Sequence, residues 1–194
     1  MLLLTTGLVL FLGVHSSRII APELLYSILE SRGELAYKVV YSAISLAGIV
    51  ALVIGYGQTR MEPVFIWAPP VSMVLVTALL SLIAFVLVAA AYVPGNRIKA
   101  AVGQPITAGV KVWAFSHLLV NGRLGDIVLF GAFLVRAVLS YVTSRKADRA
   151  AKLVYENAQS IARDAITVAV GFGGWLISAM WAHVQLIGVS PFVA

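Results

Sequence analysis

The chain of 194 residues contains no cysteine. That single absence excludes disulfides, thiolate metal ligands, iron–sulfur clusters, covalent c-type haem attachment and thiol nucleophiles together. Any metal or cofactor has to rely on histidine, carboxylate, tyrosine or methionine. Charge is the second scarcity: Asp, Glu, Lys and Arg make up 11% of the residues, against about 25% in an ordinary soluble domain. The acidic residues are loop residues, apart from Asp126 at a break between apolar runs. A proton or ion path needs acidic groups at mid-depth of a membrane, so a pump or secondary transporter is disfavoured. There is no Gly-rich phosphate loop, no His-x-x-x-His pair and no Ser/His/Asp constellation. Nor is there a repeat, a low-complexity tract or a soluble domain, which leaves residues 1–194 as one compact transmembrane domain.

What the chain has in abundance is apolar surface. Hydrophobic residues make up 61% of it and the mean hydropathy is +0.98, which excludes a water-soluble globular protein. The net charge of +6 does not point to nucleic acid, because the basic residues sit in short loops between long apolar runs and form no single basic face. The partner they imply is the lipid bilayer.

A bilayer core of about 30 Å needs roughly 20 apolar helical residues. Runs of that kind extend from Leu3 to Ala21, Tyr37 to Tyr56, Val71 to Val93 and about Ala165 to Leu186. The apolar stretch from Ile106 to Val142 is interrupted at Asn121-Gly122-Arg123-Leu124-Gly125-Asp126 and divides into two shorter pieces. Ile106 to Val120 rises only about 22 Å as a helix, so either the bilayer thins there or the pair is partly re-entrant. The expected fold is an all-α polytopic membrane helix bundle of about six transmembrane helices. Helix contacts are expected at Ser42, Ser45 and Gly48 and at Gly171, Gly173 and Gly174, where small side chains let backbones approach.

Positive charge sets the orientation. If both short pieces span, the segments after spans one, three and five hold Arg18, Arg32, Lys38, Arg97, Lys99, Arg145, Lys146, Arg149, Lys152 and Arg163, while the other side holds Arg60 and Arg123, with Lys111 and Arg136 inside spans. This bias puts both termini outside and residues 143–164 in the cytoplasm as a basic amphipathic surface helix. The first run has no Lys or Arg before Arg18 and no small-x-small cleavage site, and is read as a retained span.

Three histidines, His15, His117 and His183, lie in or beside apolar runs. An imidazole in hydrocarbon must face the bundle interior and find a partner, which marks it for function unless it merely bonds a neighbouring carbonyl. His15 sits among small residues in Gly13-Val14-His15-Ser16-Ser17-Arg18, with Arg18 three residues on along the same face. That arrangement suits a haem, with imidazole on iron and guanidinium on a propionate; Arg18 equally suits a cation snorkelling to the headgroups. Trp113 precedes His117 by one helical turn and would wall a ligand site, or pack as an interfacial aromatic. His183, beside Trp181, reads as an interfacial residue. His117 lies about 18 Å from the inner face by helical rise. His15 reaches a matching depth only if residues 1–6 ride in the outer interface and the first helix continues to Pro22.

Several strings carry a family resemblance: Gly13-Val14-His15-Ser16-Ser17-Arg18-Ile19, Ile54-Gly55-Tyr56-Gly57-Gln58, Trp67-Ala68-Pro69-Pro70, Ala91-Tyr92-Val93-Pro94-Gly95-Asn96-Arg97-Ile98-Lys99, and above all Trp113-Ala114-Phe115-Ser116-His117-Leu118-Leu119-Val120-Asn121-Gly122. Over residues 1 to about 146 the chain resembles the NnrU family of bacterial membrane proteins, named for an association with nitrite and nitric oxide reduction. That family is similar to 15-cis-zeta-carotene isomerase, a membrane b-haem enzyme whose redox-switched iron drives isomerisation of a polyene. The resemblance implies a bacterial inner-membrane protein with haem b on His15 and His117, and a redox, nitric-oxide-linked or isomerase-like role on a hydrophobic substrate. This chain has Gln104-Pro105 where the family usually has His-Pro, Arg123 where it often has Asp, and Ala114 in place of a Cys that the isomerase uses near its iron. The alternative is a non-enzymatic subunit or assembly factor of a membrane protein complex, with structural histidines and a basic 143–164 segment that docks a partner or anionic lipid.

Overall fold

The computed structural model describes residues 1–153 and 160–192, the side chains of Arg18 and Leu24 excepted. Its elements are α1 (Leu2–Ile20), α2 (Pro22–Met61), α3 (Met73–Tyr92), α4 (Arg97–Val102), α5 (Pro105–Val120), α6 (Leu124–Ala150) and α7 (Ile161–Ile177). A π-helical turn, Ser178–Ala182, then joins α7 to α8 (His183–Ile187). Among the described residues there is no strand, only an isolated antiparallel bridge between Phe65 and Arg123. The protein is an all-α membrane bundle. Four stretches, Leu25–Met61, Met73–Tyr92, Leu124–Ala150 and Ile161–Ile187, are long and apolar enough to cross a bilayer, and Leu2–Ser17 and Pro105–Val120 are shorter apolar helices.

Local chemistry explains the boundaries. Pro22 and Pro105 open α2 and α5 in the first turn, where a missing N–H costs nothing. The Pro94-Gly95 pair follows the end of α3, and Asn96 then caps α4 by accepting from the Lys99 N–H at 2.7 Å while its own amide donates to the Ala90 carbonyl at 2.8 Å. Inside α2, Gly33 has φ 79° and ψ 163°, a conformation open only to glycine, and divides the helix into residues 22–32 and 34–61.

The second apolar run therefore lies in the part that opens at Glu34, and a separate helical part, residues 22–32, precedes it across the Gly33 break. Between α5 and α6 only residues 121–123 leave the helix, and Leu124 and Asp126 already belong to α6. The expected surface helix over 143–164 is corrected. Residues 143–150 are the end of α6 and residues 161–164 the first turn of α7, while 154–159 lie outside the described residues. The Arg, Lys and Ala residues after Val142 are good helix formers, so a change from apolar to basic composition is no helix stop. Asp148 also ties this end down, accepting from the Gln104 amide at 3.0 Å and lying 3.5 Å from the Arg145 guanidinium.

The chain divides into two compact units, residues 1–66 with 123–132, and residues 67–122 with 133–194. In the first, α1 packs along α2. A Cβ on Gly48 would lie 2.8 Å from the Phe11 backbone nitrogen, so the close approach depends on glycine there. In the second, α3 packs against α5 and α7, and a Cβ on Gly171 would lie 2.6 Å from the Val86 Cα. Of the other expected contact residues, Ser42 is exposed, Ser45 is half-buried, Gly174 sits beside the Phe85 ring and Gly173 faces open space. Gly48→Val is expected to lower thermal stability in detergent by about 1–3 kcal/mol through overpacking, whereas Gly173→Ala leaves the unfolding midpoint unchanged or raised. Equal midpoints for Gly48→Val and the parent would show that α1 and α2 do not meet at this glycine.

Candidate functional site

Each candidate histidine has its geometry set by its own helix. On α1, His15 Nδ1 lies 2.7 Å from the Phe11 carbonyl oxygen, and the imidazole stacks against the Phe11 ring at 4.1 Å and the Tyr41 ring at 5.2 Å between centroids. A carbonyl oxygen can only accept, so Nδ1 carries the proton and, in the neutral ring, Nε2 keeps its lone pair. His117 on α5 repeats this arrangement. Its Nδ1 lies 2.9 Å from the Trp113 carbonyl oxygen and its ring 5.1 Å from the Trp113 indole. In both cases the residue one turn earlier supplies the carbonyl and the aromatic wall.

The His117 end of α5 is braced from α3. Fully buried Ser116 donates to the Trp113 carbonyl at 2.8 Å, and its Oγ lies 3.3 Å from His117 Nδ1 and 3.3 Å from Ser81 Oγ. Thr77 of α3 donates to the Ser116 carbonyl at 2.9 Å. Trp113 is held in turn by an edge contact with Phe133 at 5.7 Å. These side chains leave Nδ1 well provided with acceptors and hold the ring in one orientation.

His183 is placed differently. It opens α8, and its Nδ1 donates to the Val189 carbonyl at 2.6 Å, six residues later, closing the turn after the helix. Neighbouring Trp181 is 63% exposed, as an aromatic at a membrane boundary would be. Arg18 belongs to α1, but its side chain lies outside the described residues.

His15 belongs to the first unit and His117 to the second. Among the described residues no group of three or more His, Asp or Glu side chains could hold a metal ion by itself. A porphyrin supplies four of the iron's bonds and asks the protein for only one or two, so the residues present fit a haem: an axial histidine commonly donates its second ring N–H to a backbone carbonyl, as both do here.

A separate polar cluster lies in the first unit. Asp126 is 1% exposed and accepts from the Tyr56 hydroxyl at 2.7 Å and from Arg123 Nε at 2.8 Å and Nη2 at 3.2 Å. Burial works against the charge on Arg123, but the hydrogen bond and attraction from Asp126 outweigh it and hold the guanidinium above its ordinary range. The cluster secures the turn into α6. Sequence reasoning had isolated Asp126 but not Tyr56, which lies 70 residues away. Tyr41 and Ser81 were missed too, being single polar residues in apolar helices with no motif spacing around them, and Ser116 stood inside the Trp113–Gly122 string with no role of its own.

These features define a polytopic helical membrane protein with two imidazoles, each held by the carbonyl one turn earlier on its own short apolar helix. The chain belongs to the NnrU protein family, whose profile matches residues 3–191 and so reaches past the motif-bearing segments to the end of α8. Nothing matches among the curated proteins or among the solved structures.

Proposed function

We propose that this protein binds b-type haem through His15 and His117 in the bacterial inner membrane and serves a redox or nitric-oxide-linked role. The observation that carries the reading is the shared preparation of the two imidazoles, each with Nδ1–H on the carbonyl one turn earlier and an aromatic ring against it. The acceptor keeps the proton on Nδ1, presents Nε2 as the neutral donor and raises its basicity toward a metal. A haem held by both imidazoles would supply reversible one-electron chemistry. The redox reading is favoured over polyene isomerisation because Ala114, standing in the place of the isomerase's Cys, is fully buried and brings only a methyl group. The charge bias of the loops further orients the chain with both termini outside and Lys146 and Arg149 in the cytoplasm.

The test is the visible spectrum of the protein purified after haem-replete expression. A Soret band with b-type bands on reduction is expected. Colourless protein would overturn the proposal and favour a non-enzymatic subunit whose histidines only brace their helices.

A further inference from the structure

The first unit contains a cavity of about 400 Å³, formed by α1 and the two parts of α2 on either side of Gly33 and bordering the His15 surroundings through Tyr41. That volume is within the usual range for small-molecule sites. Val14, Ile28, Val40 and Ile44 give it apolar walls. Its polar lining residues are Ser17 of α1, Arg32, the last residue before the Gly33 break, and Tyr37 and Tyr41 beyond it. Val40 and Ile28, 57% and 37% exposed, show that the cavity opens to the surroundings of the helix pair, which for this apolar chain are lipid.

Charge indicates what kind of molecule fits. The neighbouring cation Lys38 is paired with Glu34 at 2.8 Å, but among the described residues no carboxylate pairs with Arg32. An exposed guanidinium beside an apolar cavity offers a site to an anion, and phosphate meets its forked donors in a bidentate manner. Apolar walls behind it need a hydrocarbon chain. We propose that this cavity is a specific site for an anionic membrane phospholipid, with the headgroup phosphate on Arg32 and Tyr37 and an acyl chain along Val14, Val40 and Ile44. The glycine break creates the site by letting residues 22–32 turn away from the axis of residues 34–61, so that an arginine and a tyrosine from the two parts reach one cavity. A cation that merely snorkels to headgroups would attract acidic lipid diffusely; a laterally open apolar cavity beside the cation adds a place for one acyl chain and so selects a single bound molecule. The inference stands apart from the haem reading.

Native mass spectrometry of the full chain in mild detergent, titrated with phosphatidylglycerol or with phosphatidylcholine of the same acyl chains, tests it. One phosphatidylglycerol is expected to be retained per chain, in preference to phosphatidylcholine. Arg32→Gln should weaken phosphatidylglycerol binding about tenfold and abolish the preference, and Ala36→Phe, which fills the cavity while keeping the charge, should lose both lipids. Lys38→Gln should bind like the parent. Circular dichroism and monodispersity check the folding of each variant; if Ala36→Phe does not fold, the exposed Arg32 and Lys38 positions still decide. No headgroup preference in the parent, an unchanged Arg32→Gln, or a loss with Lys38→Gln equal to that with Arg32→Gln would overturn the proposal. So would capture of free fatty acid with no phospholipid bound.

Discussion

His117→Ala is expected either to abolish haem retention or to turn a six-coordinate low-spin spectrum into a five-coordinate one. An imidazole binds iron only when neutral and correctly presented, and the Nδ1 contact of His117 to the Trp113 carbonyl fixes which way its Nε2 is presented. Alanine removes the donor atom, and nothing else on that face of α5 replaces it: Ser116, the neighbouring hydroxyl, is engaged with Trp113 and Ser81. His15→Ala is expected to act in the same way, since its ring is prepared by the same one-turn contact to Phe11. His183→Ala should leave the spectrum intact, because that ring closes the turn after α8. Arg18→Ala should weaken retention less, by about 1–3 kcal/mol for one charged hydrogen bond to a propionate. Absorption spectra of the four variants at equal protein concentration separate these outcomes. Loss of the spectrum in His183→Ala with its survival in His15→Ala would move the ligand pair to His117 and His183.

What could be read in advance was whatever chemistry is local along the chain. The four-residue spacing of Trp113 and His117 puts the two on one helix face whatever the tertiary structure, and their rings do meet. Apolar runs between prolines and glycines located α1, α3 and α5 for the same reason, because length and composition act on each segment independently. Four features were not legible. The continuation of α6 to Ala150 depends on helix propensity after the apolar signal has ended. The early start of α2 is masked by Glu23, Glu30, Arg32 and Glu34, charges that a search for apolar spans discards although they are compatible with helix. The brace of Thr77 and Ser81 on Ser116 joins residues more than thirty positions apart through ordinary hydroxyls, and no pattern in either segment announces it. The same holds for the cavity beside Arg32, which exists only because Gly33 adopts a backbone conformation that its neighbours do not reveal.

Asp126→Ala is expected to be the most damaging single change outside the histidines. The carboxylate is 1% exposed and serves the Arg123 guanidinium and the Tyr56 hydroxyl at once, so its removal leaves a cation and a hydroxyl without their acceptor in a site that water hardly reaches. Losing one partner of a buried ion pair typically costs about 3–5 kcal/mol. The Arg123 side chain is 25% exposed and can turn partly toward solvent, so the low end of that range is expected. Asp126→Asn keeps one acceptor oxygen and should cost less, and Tyr56→Phe, which removes only a hydroxyl, should cost least, at about 1–2 kcal/mol. Replacing both charges, Arg123→Met with Asp126→Leu, should be milder than Asp126→Ala alone, because no uncompensated charge remains. Unfolding midpoints in detergent rank the four variants, and limited trypsin digestion adds a local measure. Arg123 lies in the short turn between α5 and α6, bridged to Phe65 and followed by a bond from the Leu124 N–H to the Val64 carbonyl at 2.8 Å, so a loosened turn should expose the Arg123–Leu124 peptide bond to cleavage. A parent-like midpoint and an unchanged digest for Asp126→Ala would mean that the turn is held by its backbone bonds alone and that the buried carboxylate contributes nothing to it.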